Sequence, residues 1–237
     1  YPKTLSGKTV TAYVNTHTDL SDELYREGKL VSDNYKNILR SQTNAAAIPA
    51  EVTVRYGVTV RRANLRNLPT GEGLFFYASD RNFDALQETA LDPGEAVAIL
   101  HTSTNGYFYY VQAYNYRGWL SKFDVAETDR STWLRYAEPK NFLTVVAKDY
   151  TLKADGAQVL FQQGARLQLA DKKASAYTVK VPVRTKEGKL QEEKVVLAAN
   201  ASLHEGYLPY TTNNIIRSAF KFYDSEYGWG GLQQRVD

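Results

Sequence analysis

Apolar and polar positions follow three regimes along this chain. In LSDELYREGKLVSDNYKNILRSQTN, Leu24, Leu30, Val31, Tyr35, Ile38 and Leu39 recur at imperfect helical spacing. The pattern predicts a helix capped by Ser21 or Asp22, with acids early and Lys36 and Arg40 late. Gly28 interrupts the stripe, and Ile48-Pro49 closes it because proline cannot continue a helix.

From Val52 the period changes to two. EVTVRYGVTVRRANLRNLPT alternates β-branched and polar residues and stops on Leu68-Pro69-Thr70-Gly71. EAVAILHTS predicts a second strand, and YFYYVQAYNYRGWL, after the turn Thr104-Asn105-Gly106, a third. Short strands with closely spaced turn signals predict a small antiparallel barrel. The stretch ASDRNFDALQETALDPG is long for a barrel loop, and long ordered loops tend to carry function. Along the third strand Tyr107 and Tyr109 share one face, Phe108 and Tyr110 the other. One face is expected to fill the barrel and the other to be covered by a neighbouring domain or a ligand.

A second series begins near Lys140. FLTVVAKDYTLKADG, GARLQLADKKASAYTVKVPVRT and KLQEEKVVLAA read as strands, with turns at Ala154-Asp155-Gly156 and Lys186-Glu187-Gly188. The two halves share element order but little residue identity. After Gly206 the helical period returns in TTNNIIRSAFKFYDSEYG, with a Thr or Asn cap and Gly228 at its end. The expected class is therefore mainly β with flanking helices, α+β overall. A helical cap spans residues 1–50, small β-barrels span 51–128 and 138–206, and a helix opens the segment 207–237.

Composition narrows the chemistry. With 237 residues and 43% hydrophobic content the chain can bury a core. A net charge of +3 is too small to argue for nucleic acid, although residues 129–206 carry 13 Lys and Arg against 9 Asp and Glu. No cysteine is present, which removes disulfides and thiolate metal sites within the chain. No apolar run reaches the ~20 residues of a membrane helix. The chain opens on Tyr1 rather than Met, the pattern expected when a leader or tag is removed.

Several motifs fail on inspection. Thr70-Gly71-Glu72-Gly73 lacks the Gly-Lys-Ser/Thr of a phosphate loop. Glu192 and Glu193 are adjacent on a predicted strand and point to opposite faces, unlike a glycosidase pair. Arg61, Arg62 and Arg66 belong to a strand pattern rather than a nucleic-acid patch. His17, His101 and His204 sit in no recognisable motif, and neither a metal site nor a cofactor is expected.

The final stretch, LPYTTNNIIRSAFKFYDSEYGWGGLQQRVD, resembles the entry to the catalytic domain of NlpC-type cell-wall cysteine peptidases. In that family a helix, then Tyr-x-Trp-Gly-Gly, a short stretch and Asp lead into Cys-Ser-Gly. Tyr227, Trp229, Gly230, Gly231 and Asp237 stand at the matching positions. TVRRANLRNLPT and YRGWL resemble bacterial SH3-like domains. VKVPVRTKEGKL with GYLPYT resembles the second such domain of multi-domain members. The resemblance covers about residues 50 to 237 and implies two SH3-like barrels followed by the first helix of a papain-like catalytic domain.

The resemblance implies a cysteine immediately after Asp237, activated at a helix N-terminus with a histidine further on as base. The chain itself then lacks the nucleophile and is expected to be inactive. Members with two SH3-like domains cleave between D-glutamate and the diamino acid of peptidoglycan stem peptides, preferring a free N-terminal L-alanine. Asp237 would accept that ammonium, completed by Tyr116 and by Glu95 in Pro-Gly-Glu or Glu88 in the long loop. Tyr227 could stabilise an oxyanion, and Trp229 would flank the substrate. The implied setting is an exported bacterial protein of the periplasm or cell envelope, with the remainder of the catalytic domain as its partner. The alternative reading is a free-standing SH3-like module that binds cell wall or peptide.

Overall fold

The computed structural model describes residues 1–234, so Asp237 lies outside the described residues. Strands make up 41% of the chain and helices 19%, in keeping with the mainly β, α+β class. Among the described residues no helix is long and apolar enough to cross a membrane.

The N-terminal segment departs from the single helix expected. It runs through β1 (Thr4–Ser6), α1 (Gly7–Val14), β2 (Tyr25–Arg26), β3 (Lys29–Leu30) and α2 (Asp33–Gln42). The helix expected from Ser21 or Asp22 begins instead after Ser32, whose hydroxyl accepts from the Tyr35 amide. Glu27 and Gly28 both take positive φ, 51° and 80°, and that turn folds residues 25–30 into a hairpin. Leu20, Leu24, Val31 and Leu39 still point inward, packed with Leu68, Leu74 and Leu86. The apolar spacing thus reflects a shared core under the long loop rather than one helix face.

The first sheet has seven strands: β5 (Arg55–Thr59), β6 (Ala63–Arg66), β7 (Gln87–Leu91), β8 (Ala96–Thr102), β9 (Phe108–Gln112), β10 (Arg117–Ser121) and β11 (Val125–Thr128). All its ladders are antiparallel, in the order β11-β5-β8-β9-β10-β6-β7. A short strand β4 (Glu51–Thr53) pairs with β1 beside it. One face buries Leu65, Val97, Ile99, Val111 and Leu120, with Tyr109 packed against them. On the other, Leu100, Tyr110 and Trp119 meet Val10 and Val14 of α1 and Trp133. Both faces of the aromatic strand β9 are thereby covered by protein. Gly118 is required here, because a Cβ would lie 2.6 Å from the Arg66 carbonyl oxygen across the ladder.

Helix α3 (Arg130–Ala137), which the pattern does not announce, joins the two halves. Asp129 caps it by accepting from the Ser131 and Thr132 amides. The second half comprises β12 (Phe142–Val145), β13 (Asp149–Ala154), β14 (Ala157–Gln162), β15 (Arg166–Lys173), β16 (Ala176–Arg184), β17 (Leu190–Ala198) and β18 (Leu203–Glu205). Its five-stranded sheet, β17-β16-β15-β12-β18, packs Leu143, Leu167, Val179 and Val181 against Leu152 and Phe161 of the β13–β14 hairpin. The halves touch at the exposed edge of β11, where Glu127 N donates to the Gly188 carbonyl at 2.8 Å.

The closing helix α4 spans Thr212–Phe220 and is capped by Thr211. It stops short of Gly228, where the apolar period pointed. Asp224 takes a left-handed φ of 64° in the turn that follows. None of its residues is buried, and Ile215, Ile216 and Phe220 face outward.

Candidate functional site

The Trp-Gly-Gly turn docks on the free edge of the first sheet. Trp229 N donates to the Asn82 carbonyl at 2.9 Å, and its indole Nε1 donates to the Gln87 carbonyl at 2.9 Å. In return Gln87 Nε2 donates to the Gly230 carbonyl at 3.0 Å. Gly230 and Gly231 have φ of 58° and 68°. A Cβ on Gly230 would come within 2.9 Å of Gln87 Cγ, and one on Gly231 within 2.7 Å of Arg62 Nη2. Both glycines are thus needed for conformation and for close approach.

The loop before β7 is built to hold this edge. Asp84, 1% exposed, pairs with Arg66 at 2.8 Å and accepts from the amides of Leu74 and Leu86. Arg66 also donates to the Glu72 carbonyl and to Gln87 Oε1. A buried charge pair survives only when its remaining donors and acceptors are matched, and here most of them are. Phe83 extends from the same loop over Tyr227, with ring centroids 5.3 Å apart, and lies 6.3 Å from Trp229. Tyr227 is half-exposed.

Beside the docked turn lies a pocket of about 320 Å³ whose wall includes both Glu88 and Tyr116. Glu88 is the residue after Gln87 on β7, so one strand serves both the docked turn and the pocket wall. Asn67 Nδ2 donates to Glu88 Oε1 at 3.0 Å, and Asn67 Oδ1 is buried with no partner among the described residues. Tyr116 precedes β10, its ring half-exposed and its carbonyl accepting from Ala113 N and Gln112 Nε2. The far wall comes from Tyr13 and Thr16 at the end of α1. Arg117 stacks on the Tyr13 ring at 3.7 Å, and Tyr110 donates its hydroxyl to the Tyr13 carbonyl. Burial pushes the Tyr110 phenol up to about 12, so it remains a neutral donor.

Of the expected site residues, Glu88 and Tyr116 share the pocket wall, while Tyr227 and Trp229 meet at Phe83 on the loop before β7. Sequence reading did not name Asn67, Tyr13 or Arg117. Asn67 carried a signal, in that it directly follows a strand two residues before Pro69, but Tyr13 enters from a distant helix. Glu95 lies elsewhere: its carboxylate faces Arg166 at 3.5 Å between the two halves, and burial raises its pKa. The three histidine rings each contact a backbone carbonyl, of Thr18, Asn44 and Gly206. Arg61, Arg62 and Arg66 pair with Asp124, Asp92 and Asp84. Glu192 meets Lys180 while Glu193 accepts from the Asp155 amide. Among the described residues no cluster of His, Asp or Glu could hold a metal.

Residues 74–121 match the profile of the SH3 domain of SH3b1 type. The matched span contains both Glu88 and Tyr116. No curated protein matches the sequence. The fold is similar to that of a novel NlpC/P60 endopeptidase from Photobacterium damselae subsp. piscicida, with a TM-score of 0.64 and 18% identity. The alignment covers 98% of this chain and 59% of that one. This chain thus spans somewhat over half the length of that structure, and at such identity the likeness concerns fold alone.

Proposed function

We propose that this chain is the targeting and substrate-gating portion of a peptidoglycan stem-peptide hydrolase, a γ-D-glutamyl-L-diamino acid endopeptidase of the cell envelope. The observation that carries the reading is the docking of the Trp229-Gly230 turn on β7, next to the Glu88 and Tyr116 pocket. A nucleophile following Asp237 would be anchored to the same sheet edge that presents the pocket. The exposed apolar face of α4 supports the continuation of a catalytic domain over Ile215, Ile216 and Phe220.

Gating then follows from the pocket's chemistry. A free ammonium requires acceptors that are partly shielded from water, and Glu88, oriented by Asn67, and the Tyr116 hydroxyl would provide them. Asp237 would add a second carboxylate. Arg117, stacked on the Tyr13 ring, lines the same pocket, so the Glu88 carboxylate has to outweigh its charge for an ammonium to bind. Tyr13 and Thr16 line the pocket where α1 ends, and a peptide extended beyond its amine would meet them. The wall therefore selects a peptide terminus rather than a chain interior.

The test compares L-Ala-γ-D-Glu-diaminopimelate with its N-acetylated form, using the chain extended through the residues after Asp237. Glu88→Gln is expected to reduce kcat/KM on the free amine at least about tenfold, roughly 1.4 kcal/mol, with little change on the blocked peptide. Equal loss on both peptides would remove Glu88 from amine recognition. A coding sequence lacking Cys-Ser-Gly after Asp237 would favour a free-standing binding module.

A further inference from the structure

A second and larger cleft, of about 910 Å³, lies between the two halves of the molecule. Its walls come from the ends of β8 and β9, from α3 and the segment after it, and from β12 and β15. Tyr1, Tyr114, Trp133, Phe142 and Tyr207 bring aromatic rings to them. Tyr114 is 95% exposed and Tyr207 64%, although both sit on a concave surface. Phe142 holds Tyr207 edge-on at 4.8 Å, fixing its ring plane, and Trp133 lines the α3 side. Tyr207, held edge-on by Phe142, offers a flat apolar face with a hydroxyl tip at little entropic cost on binding, and Tyr114 offers a second, almost fully accessible one.

The charged side chains of the cleft balance. Glu95 and Glu138 stand against Lys140 and Arg166, so these side chains favour neither an anion nor a cation. The central pair is loosely made. Arg166 Nη2 lies 3.5 Å from Glu95 Oε2, and Nη1 lies 3.3 Å from the Tyr207 hydroxyl. Both distances are at the long limit of hydrogen bonding, so donors on Arg166 and acceptors on Glu95 retain capacity for a ligand. An adjacent donor and acceptor of this kind match a pair of neighbouring hydroxyls.

We propose that this cleft is a saccharide-binding site that takes a neutral oligosaccharide of about two or three rings, a size suited to a pocket of this volume. The sugar faces stack on Tyr114 and Tyr207, and vicinal hydroxyls bridge Glu95 and Arg166. Gln112 lines both this cleft and the Glu88 pocket, so the two sites share a wall. A bound saccharide would place the chain against the same surface that receives a peptide terminus. The assignment does not depend on the peptide-gating role, because Tyr114, Tyr207, Glu95 and Arg166 all lie outside the Glu88 pocket.

The test titrates the chain with tri-N-acetylchitotriose and with maltotriose, following ¹⁵N–¹H shifts of the Gln112 side-chain amide and the Trp133 indole. Hexa-aspartate and hexa-lysine peptides serve as charged comparators. Saturable shifts with at least one trisaccharide below about 10 mM are expected, with smaller responses to both charged peptides. Tyr114→Ala and Arg166→Gln should each weaken binding about tenfold, ~1.4 kcal/mol, with Tyr77→Ala on the remote loop leaving it unchanged. Tyr114 is so exposed that its removal leaves the fold intact. The proposal is overturned by absence of saturation with either sugar, by preference for a charged peptide, or by sugar binding that survives Tyr114→Ala undiminished.

Discussion

Gln87 and Trp229 hold each other through reciprocal bonds: the indole donates to the Gln87 carbonyl, and the Gln87 side chain donates to Gly230, the residue after Trp229. Gln87 is 2% exposed and also accepts from Arg66, so it joins the turn to the loop. Gln87→Ala would leave several buried groups unpaired and is expected to cost ~2–3 kcal/mol by urea unfolding. Gly230→Ala should act differently. Its Cβ would meet Gln87 Cγ at 2.9 Å with φ at 58°, so the turn should detach while the sheet remains. The expected result is faster hydrogen exchange at the Trp229 indole with a global shift under ~1 kcal/mol.

The buried Arg66–Asp84 pair should be the main support of the long loop. Asp84→Ala removes the partner of a nearly inaccessible guanidinium and the acceptor of two amides, of Leu74 and Leu86. The expected loss is ~3–5 kcal/mol by urea unfolding, together with proteolytic cleavage between residues 70 and 83. An intact loop in the variant would place its support in the Leu20–Leu86 core instead.

Much of this was legible in the chain because periodicity reports burial. The alternation from Val52 onward, the turns at Gly106 and Gly156, and the cap before α4 all mark local choices made by the backbone. What the sequence concealed was decided by contacts distant along the chain. Leu24 and Leu39 share a core with Leu74 and Leu86, so their spacing mimicked one helix although a hairpin interrupts it. Helix α3 is short, and only the Asp129 cap marks it. Spacing could not tell that Glu88 would share a pocket with Tyr116 while Glu95 faces Arg166, since both placements depend on how the strands assemble.

Asp124 makes a pH prediction. Burial raises its carboxyl to about 6, with Arg61 opposing only in part. The folded state then holds a proton that the unfolded chain has released, so this group's contribution is full below about pH 4 and is lost as pH rises through about 6. Asp124→Asn removes the titration. Its stability relative to the parent should therefore improve between pH 4 and pH 6, by up to ~3 kcal/mol, and stay level above pH 7. Urea midpoints at four pH values decide the matter; a difference that shrinks toward pH 6 would contradict the sign.

Asp129 should prove small in energy but specific in effect. Its carboxylate accepts from the Ser131 and Thr132 amides and from both hydroxyls, which holds its pKa well below the usual range. Removing such a cap typically costs ~1 kcal/mol. Helix α3 carries Trp133 into the first core and sends the Tyr136 hydroxyl to Glu192 of the second half. Fraying should therefore loosen the junction before either core. In Asp129→Ala, hydrogen exchange is expected to accelerate at Trp133 to Tyr136 and across the Glu127–Gly188 contact, with Val111 and Val179 unchanged. Uniform acceleration through both halves would instead mean that α3 and the two sheets unfold as one unit.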